Sequence, residues 1–378
     1  MEIPSGLYGY GLPFLGILTV LVFVHEMGHY LVARLNGVRV EVFSIGFGPE
    51  LFGWTDRAKT RWKFSLIPLG GYVKMFGDAD AASRPDTELS DLSDEERAEA
   101  FPFKRLGQRS WIVAAGPLAN FLFAIVLMAV VFMAIGQPFT PPVVGTVIPD
   151  SAAEEAGLQP DDRIVRIDGS DINSFQDIQW IVSLGLGEAI EIVVLRDGIE
   201  IPLVATPRMT EVTDDFGNRQ EVGRLGISHS GIELVRHGPF TALWRATEKT
   251  GAHTLAILKS VGQMIVGDRS ADELGGPLRI AKMSGQVAEY GWSSVVQLMW
   301  LLSISLGLIN LFPIPILDGG HLLFYAIEAV RGRPLGERAQ EYGFRIGLAL
   351  VLSLMVFATW NDIVNHVKVF DFIKDLIT

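Results

Sequence analysis

The stretch from Leu12 to Leu35 reads LPFLGILTVLVFVHEMGHYLVARL. Its apolar run from Leu12 to about Val32 is long enough to cross a bilayer, which takes about 20 mostly apolar residues. His25, Glu26 and His29 sit toward its end as an H-E-x-x-H pattern. In a helix, residues four apart share a face, so both imidazoles can turn toward one ion. Glu26 lies beside that face, where it could take a proton from a water on the ion. A charged group at the centre of a spanning helix costs roughly 2.5–3.5 kcal/mol on insertion scales, so such residues usually pair with something functional. The plainer alternative is a polar helix end at the membrane interface, with Glu26 ion-paired to Arg34.

Working outward, three more segments could cross: Trp111 to Ile135, Val295 to Leu317, and Phe344 to Trp360. The composition agrees, with 49% of the 378 residues hydrophobic and a mean hydropathy of +0.33. The first segment has Glu2 and no Lys or Arg before it, and no small-residue cleavage site after it, so it is expected to be a retained span and not a signal peptide. A formal charge of −12 argues against a nucleic-acid partner. The lack of cysteine excludes disulfides, thiolate metal sites and a cysteine nucleophile. Arg34, Arg39, Lys104, Arg105 and Arg109 flank the first connection, and Arg331, Arg333, Arg338 and Arg345 flank the third. The positive-inside rule places both in the cytoplasm and the long middle segment outside.

Between the first two spans, Ser44 to Met75 combines Gly46, Gly48, Pro49, Pro68, Gly70 and Gly71 with β-prone runs, which predicts hairpin-like structure. From Asp78 to Glu99 the chain is acidic, which predicts a mobile, solvated loop. Beyond the second span, strand-like Val143 to Ile148 precedes SAAEEAGLQPDDRIVRIDG (Ser151 to Gly169), a helix from about Ser174, and two strands joined by Asp197-Gly198, a strong hairpin signal. This run resembles a PDZ domain of the bacterial, protease-associated kind. Thr210 to Ser230 reads as a polar strand-and-turn linker. Phe240 to Val266 is amphipathic and interrupted by Arg245, Glu248, Lys249 and Lys259, which suits the outer membrane surface better than a crossing.

Zinc that keeps one position open for water needs a third protein ligand. The best candidate is Asp318, in NLFPIPILDGGH (Asn310 to His321). Two prolines and two glycines there predict irregular backbone, tolerated at membrane depth only where it is buried in protein or lines a cavity. The alternative is a helix-ending turn with an exposed carboxylate. His321 reads equally as a supporting group or an interface marker. Asn120 and Gly116-Pro117 fit a polar notch or close helix packing. His229, His237, His253 and His366 read as surface residues.

Taken together, the H-E-x-x-H span, GFGP, PLGGYVKM, GPLANF, the PDZ-like run and NLFPIPILDGGH resemble the site-2 protease family of intramembrane zinc metalloproteases, and within it the bacterial regulator-of-sigma-E proteases. The resemblance covers nearly the whole chain. It implies Zn2+ as cofactor, with His25, His29 and Asp318 as its ligands, Glu26 as catalytic base and acid, and Asn310 holding unwound substrate backbone. It implies that Ser44–Met75 pairs with substrate as an added strand. The expected partners are the lipid bilayer and membrane-spanning proteins, either anti-sigma factors or signal-peptide remnants. The expected place is a bacterial inner membrane, with the site toward the cytoplasm and the PDZ domain in the periplasm. One PDZ domain is expected where well-known members carry two in tandem, which puts gating by the outer domain in doubt.

The expected fold is thus an α-helical polytopic membrane protein of four transmembrane helices, with a membrane-associated β-hairpin-like segment and one inserted α+β PDZ domain. Residues 1–136 carry the first two spans, 137–208 the PDZ domain, 209–294 a linker and surface helix, and 295–378 the last two spans. A metal transporter or metal-buffering membrane protein also places His and Asp in spans, but has no use for Glu26 or a peptide-binding domain. A silent peptide-binding scaffold is the third possibility.

Overall fold

The computed structural model describes residues 7–78, 92–184, 187–213, 219–267 and 275–366. The chain divides into two compact units, one formed by Met1–Val130 with Phe240–Thr378 and the other by Val131–Pro239.

In the first unit, α1 (Leu12–Leu35) begins with Pro13 in its first turn, where no backbone donor is needed. It stops at Asn36, whose side chain returns to the Val32 carbonyl (2.8 Å), followed by Gly37 at φ +68°. Strands β1 (Val40–Thr55) and β2 (Arg61–Met75) then form the expected hairpin-like element. Both strands bend back, so residues 40–45 pair on one side with 61–64 (Phe43↔Trp62, Ile45↔Phe64) and on the other with 71–75 (Phe43↔Val73, Ile45↔Gly71). The result is a small sheet whose segments lie in the order 50–55, 61–65, 40–45, 71–75. Among the described residues, its 71–75 edge pairs only with 40–45. Phe43 anchors it, stacked on Trp62 at 4.4 Å and edge-on to Phe23 and Tyr30 of α1.

Part of the acidic segment departs from the expected loop. Helix α2 (Asp94–Glu99) is fixed by a capping box in which Ser93 and Glu96 satisfy each other's backbone N–H groups. Residues 79–91 lie outside the described residues. Next comes α3 (Leu106–Ala134). It packs so closely on α1 that a Cβ at Gly28 would stand 2.3 Å from the Ala115 carbonyl oxygen.

The second unit holds β3 (Gln137–Phe139), β4 (Val144–Val147), α4 (Ala152–Glu155), β5 (Arg163–Ile167), β6 (Ser170–Asp171), α5 (Phe175–Leu184), β7 (Ile190–Arg196), β8 (Ile199–Ala205), β9 (Arg208–Thr213), β10 (Arg219–Arg224), β11 (Ile227–His229) and β12 (Glu233–Val235). Four strands run in the order β6-β5-β7-β8. Ile190, Ile192 and Val194 alternate inward along β7, onto Ile164, Ile167, Phe175 and Ile178. The expected hairpin stands, with Asp197 and Gly198 both at positive φ.

The stretch expected as a linker contributes β9 to β11 to this unit, and Leu225 is buried in its core. The expected strands form, β9 with β10, and β11 with β4 (Ile227↔Val147), and this last pairing makes the stretch part of the unit and not a linker.

Asp162 fixes one corner of the same unit. It is buried, takes Arg196 Nε and Nη2 at 2.6 and 2.7 Å, and accepts the Gln159 N–H at 2.8 Å. Burial alone would raise its pKa, but Arg196 and that N–H outweigh it and hold the carboxyl below its ordinary value. A depressed folded-state pKa contributes stability above the unfolded value, near 4, that is lost as pH falls through the folded one. Asp162→Ala should therefore lower the stability of this unit by about 2–4 kcal/mol at neutral pH. The deficit should shrink as pH drops below 4. Proteolysis of the full chain with denaturant, followed across pH, measures both.

The first unit resumes with α6 (Pro239–Val266), α7 (Pro277–Glu289), α8 (Trp292–Leu311), α9 (Asp318–Arg331) and α10 (Glu337–His366). Ala242, Ala246 and Thr250 bury one face of α6, and Trp300 Nε1 of α8 donates to Thr250 Oγ1 (3.1 Å). The N-terminus of α7 is capped from the far end of α10, where Asp362 accepts the Gly276 and Arg279 N–H groups at 2.9 Å each.

Among the described residues, four helical segments are long and apolar enough to cross a membrane: Gly9–Leu35, Leu106–Ala134, Trp292–Leu311 and Arg338–Ile363. They turn large apolar side chains outward, including Leu122, Val126 and Val130 of α3 and Ile346, Leu350 and Leu354 of α10. The third span ends at Leu311, six residues short of the expected Leu317, because the chain leaves helical geometry there. Ile316 adopts φ +101°, a rare conformation for a β-branched residue that costs on the order of 1–3 kcal/mol. Tight turns close from Ile314 N–H to Phe312 O (2.7 Å) and from Leu317 N–H to Ile314 O (3.0 Å) before α9 starts at Asp318.

Candidate metal centre

His25 and His29 lie one turn apart on the buried face of α1, each only 8% exposed. Asp318 reaches them from the first turn of α9, where the helix dipole favours a carboxylate. The side-chain atoms of the three form a compact triangle. His25 Nε2 lies 3.2 Å and His29 Nε2 3.5 Å from Asp318 Oδ2, and the two Nε2 atoms are 3.3 Å apart. Donors about 2.0–2.2 Å from a tetrahedral ion stand about 3.3–3.6 Å from one another. The triangle therefore has the edge lengths of a zinc site. Asp318 Oδ2 is moreover buried and makes no hydrogen bond of acceptable geometry, as expected of an oxygen turned toward an ion. Two imidazoles and a carboxylate are also the donors zinc prefers.

The surroundings orient these donors. His29 Nδ1–H donates to the Ile112 carbonyl of α3 at 2.9 Å, which leaves its Nε2 as a lone pair facing the triangle. A Cβ at Gly116 would lie 2.2 Å from that Nε2, so the absence of a side chain keeps the face clear. The Asn120 amide lies 3.3 Å from His25 Nδ1, and Ser303 Oγ of α8 donates to the Asn120 carbonyl at 2.8 Å. Which end of a buried amide carries oxygen is decided by its partners. With Oδ1 toward His25 Nδ1–H, the second imidazole too offers Nε2 as a lone pair.

Glu26 lines the same pocket, a cleft of about 220 Å³ that also includes Gly71, Tyr72 and Val73 of the 71–75 edge, Asn310, Asp318 and His321. All five sequence candidates, His25, Glu26, His29, Asn310 and Asp318, thus meet around one cleft. Of the open alternatives, Arg34 turns to the Val38 carbonyl (3.5 Å); the second carboxylate of α9, Glu328, is engaged by Arg109 Nη2 at 2.6 Å. His321 lines the cleft with its ring 5.3 Å from Phe344.

Sequence reasoning undervalued Asn120, although a polar residue deep in an apolar span was the available signal. The Ile112 carbonyl and Ser303 gave no sequence signal. His253, expected at the surface, packs against Trp300 at 5.0 Å because α6 lies along α8. His229 is exposed, as expected. His237 is half-buried on Gln137 (3.0 Å), and the side chain of His366 lies outside the described residues.

Comparison with known proteins bears on the whole chain. The profile of peptidase family M50 matches residues 13–354. A protein of Agrobacterium fabrum named as a zinc metalloprotease is 51% identical over 362 residues, covering 94% of this chain and 96% of its own. One of Rhizobium meliloti, likewise named, is 50% identical, covering 93% and 95%. The metalloprotease MmpA of Caulobacter vibrioides is 41% identical over 386 residues, covering 96% and 97%. Among solved structures, the PDZ domain of an SdrC-like protein from Listeria monocytogenes is 21% identical, covers 24% of this chain and 88% of its own, and has a TM-score of 0.19, too low to argue from. The metal-transporter alternative and the silent scaffold give way to these relatives. The chain belongs to peptidase family M50, and it is a zinc metalloprotease.

Proposed function

We propose that this metalloprotease hydrolyses peptide bonds in or near the membrane-spanning segments of other proteins, with His25, His29 and Asp318 holding the zinc. The donor triangle supports this most, because it is buried among helices long enough to cross a bilayer. A zinc ion held by these three residues would supply a Lewis acid for the scissile carbonyl and would make a water available as hydroxide near neutral pH. Glu26, beside the triangle, takes the proton of the attacking water and passes it to the leaving amide nitrogen.

A spanning helix shelters its peptide bonds in its own hydrogen bonds, so substrate must unwind and find new backbone partners. The 71–75 edge offers them along one wall of the cleft, by strand addition. Asn310, in the last turn of α8, holds a substrate carbonyl or N–H from the side of the cleft formed by α8 and the break after it. Fitting substrates are membrane-anchored anti-sigma factors already trimmed outside the membrane, and signal-peptide remnants. The unit of Val131–Pro239 carries a single PDZ domain that docks or size-filters them. The test is cleavage of a membrane-spanning model peptide by the purified full chain in detergent, with products weighed by mass spectrometry. Zinc-dependent cuts within the apolar segment support the proposal. Cuts confined to soluble tails would overturn it.

The enzyme resides in a bacterial inner membrane, with the metal end of α1 toward the cytoplasm and Val131–Pro239 in the periplasm. The basic residues around the two short connections support this orientation. Because the chain has no cysteine, single introduced ones report cleanly. Glu95→Cys on α2 should be shielded from an impermeant thiol reagent in spheroplasts, and Glu188→Cys before β7 should react. Both positions are exposed and avoid the helix caps at Ser93 and Ser174. The reverse labelling pattern would invert the orientation.

A further inference from the structure

A second cleft, of about 310 Å³, opens where α1 ends and the tip of the β1–β2 hairpin returns. It is lined by Arg34, Gly37, Arg39, Arg57, Ala58, Lys59 and Glu99. Four cations thus face a single carboxylate, in a chain whose net charge is −12. Glu99 is engaged with Arg39 at 3.4 Å, and Arg34 spends one N–H on the Val38 carbonyl. Among the described residues, Arg57 and Lys59 have no carboxylate within ion-pairing distance.

The tip is held firmly. Asp56 Oδ1 accepts the Ala58 and Thr60 N–H groups at 2.8 and 2.9 Å, its Oδ2 accepts Trp62 Nε1–H at 2.9 Å, and Lys59 takes φ +64°. The carboxylate of Asp56 is therefore spent on the turn, and the turn presents Arg57 and Lys59 outward, where both are exposed. The C-terminal carbonyls of α1, which would repel an anion, are answered in turn. Asn36 covers Val32 O, Val38 N–H covers Ala33 O, and Lys104 Nζ reaches Gly37 O at 3.1 Å. Among the described residues only Glu99 and the charge of Asp56 answer these four cations, and the excess of positive charge that remains favours an anion.

Apolar residues close to these cations along the chain narrow the anion. Leu31 and Leu35, one turn apart on α1, are 51% and 84% exposed, and Trp54, three residues before Arg57, is 49% exposed. Cations at the end of a spanning helix, bordered by outward apolar side chains, match a molecule with a phosphate at one end and hydrocarbon at the other. Basic pockets on the cytoplasmic side of membrane proteins bind lipid headgroups in this way.

We propose that the cleft formed by Arg34, Arg39, Arg57 and Lys59 binds the phosphate of an anionic phospholipid, whose acyl chains lie along Leu31 and Leu35. The lipid ties the tip of the β1–β2 hairpin to the end of α1. This inference rests on α1 spanning a membrane and not on the zinc chemistry, so either can fail alone.

The test titrates the purified full chain, in a neutral detergent, with short-chain phosphatidylglycerol, phosphatidylcholine or inorganic phosphate, and reads retained ligand by native mass spectrometry. One phosphatidylglycerol should be retained at least tenfold more tightly than phosphatidylcholine. The Arg57→Gln/Lys59→Gln double variant should lose that preference, whereas Arg331→Gln/Arg333→Gln, which removes the same charge elsewhere, should keep it. Equal binding of the two lipids would overturn the proposal. So would equal loss in both double variants, or inorganic phosphate displacing the lipid at matching concentration, which would mark a free-phosphate site.

Discussion

Replacing Glu26 by Gln leaves the zinc in place and lowers peptide-bond cleavage by at least about a hundredfold, within the hundred- to ten-thousandfold range of general acid–base catalysis. The substitution keeps the size of the side chain and its place in the cleft with His25, His29 and Asp318, and removes only the ability to take and return a proton. Glu26 stands outside the donor triangle, so metal content measured by elemental analysis should stay at one zinc per chain. The two readouts separate a base from a ligand. Turnover within tenfold of the unmodified enzyme would remove Glu26 from the mechanism, and loss of zinc would make it part of the metal site.

How much of this was legible in the sequence depended on whether the signal was local. His25, Glu26 and His29 are fixed in spacing by the helix that carries them, so a 3.6-residue period was enough to set them near one face. The break before Asp318 was legible too, because Pro313 and Pro315 remove backbone donors and forbid a continuous helix, whereas Gly319 and Gly320 fall within α9. Its consequence, Ile316 at φ +101°, was not, since no composition rule places a β-branched residue there. Asn120 was seen as a polar notch, but its use depends on α3 packing against α1, a relation across 95 residues. The fold-back of β1 and β2 was legible only as hairpin-like structure for the same reason. Pairing of 40–45 with both 61–64 and 71–75 is a long-range choice that local alternation does not encode. The strand-and-turn character of Thr210 to Ser230 was legible, but its place in the second unit was not, because the pairing of β11 with β4 is again a long-range choice.

Asp318→Asn should weaken zinc retention at least about a hundredfold against a competing chelator, and activity should fall with it. A neutral amide is a poorer partner for a dication than the carboxylate whose Oδ2 lies 3.2 and 3.5 Å from the two histidine Nε2 atoms. The comparison that gives this result meaning is Asn120→Ala. Asn120 only orients His25, and residues that support a ligand carry about 10–100-fold in metal affinity. The order of retention should therefore be unmodified enzyme, then Asn120→Ala, then Asp318→Asn. Glu328→Gln should stand with the unmodified enzyme, because Glu328 is occupied by Arg109 at 2.6 Å. If Asp318 merely ended a turn, Asp318→Asn would match Glu328→Gln in both metal and activity, since Asn starts a helix about as well as Asp does. An inverted order, with Glu328→Gln losing zinc and Asp318→Asn keeping it, would transfer the third ligand to the other carboxylate of α9. The His25 and His29 pair on α1 would be unaffected, because those two meet within one helix and need no partner to come together.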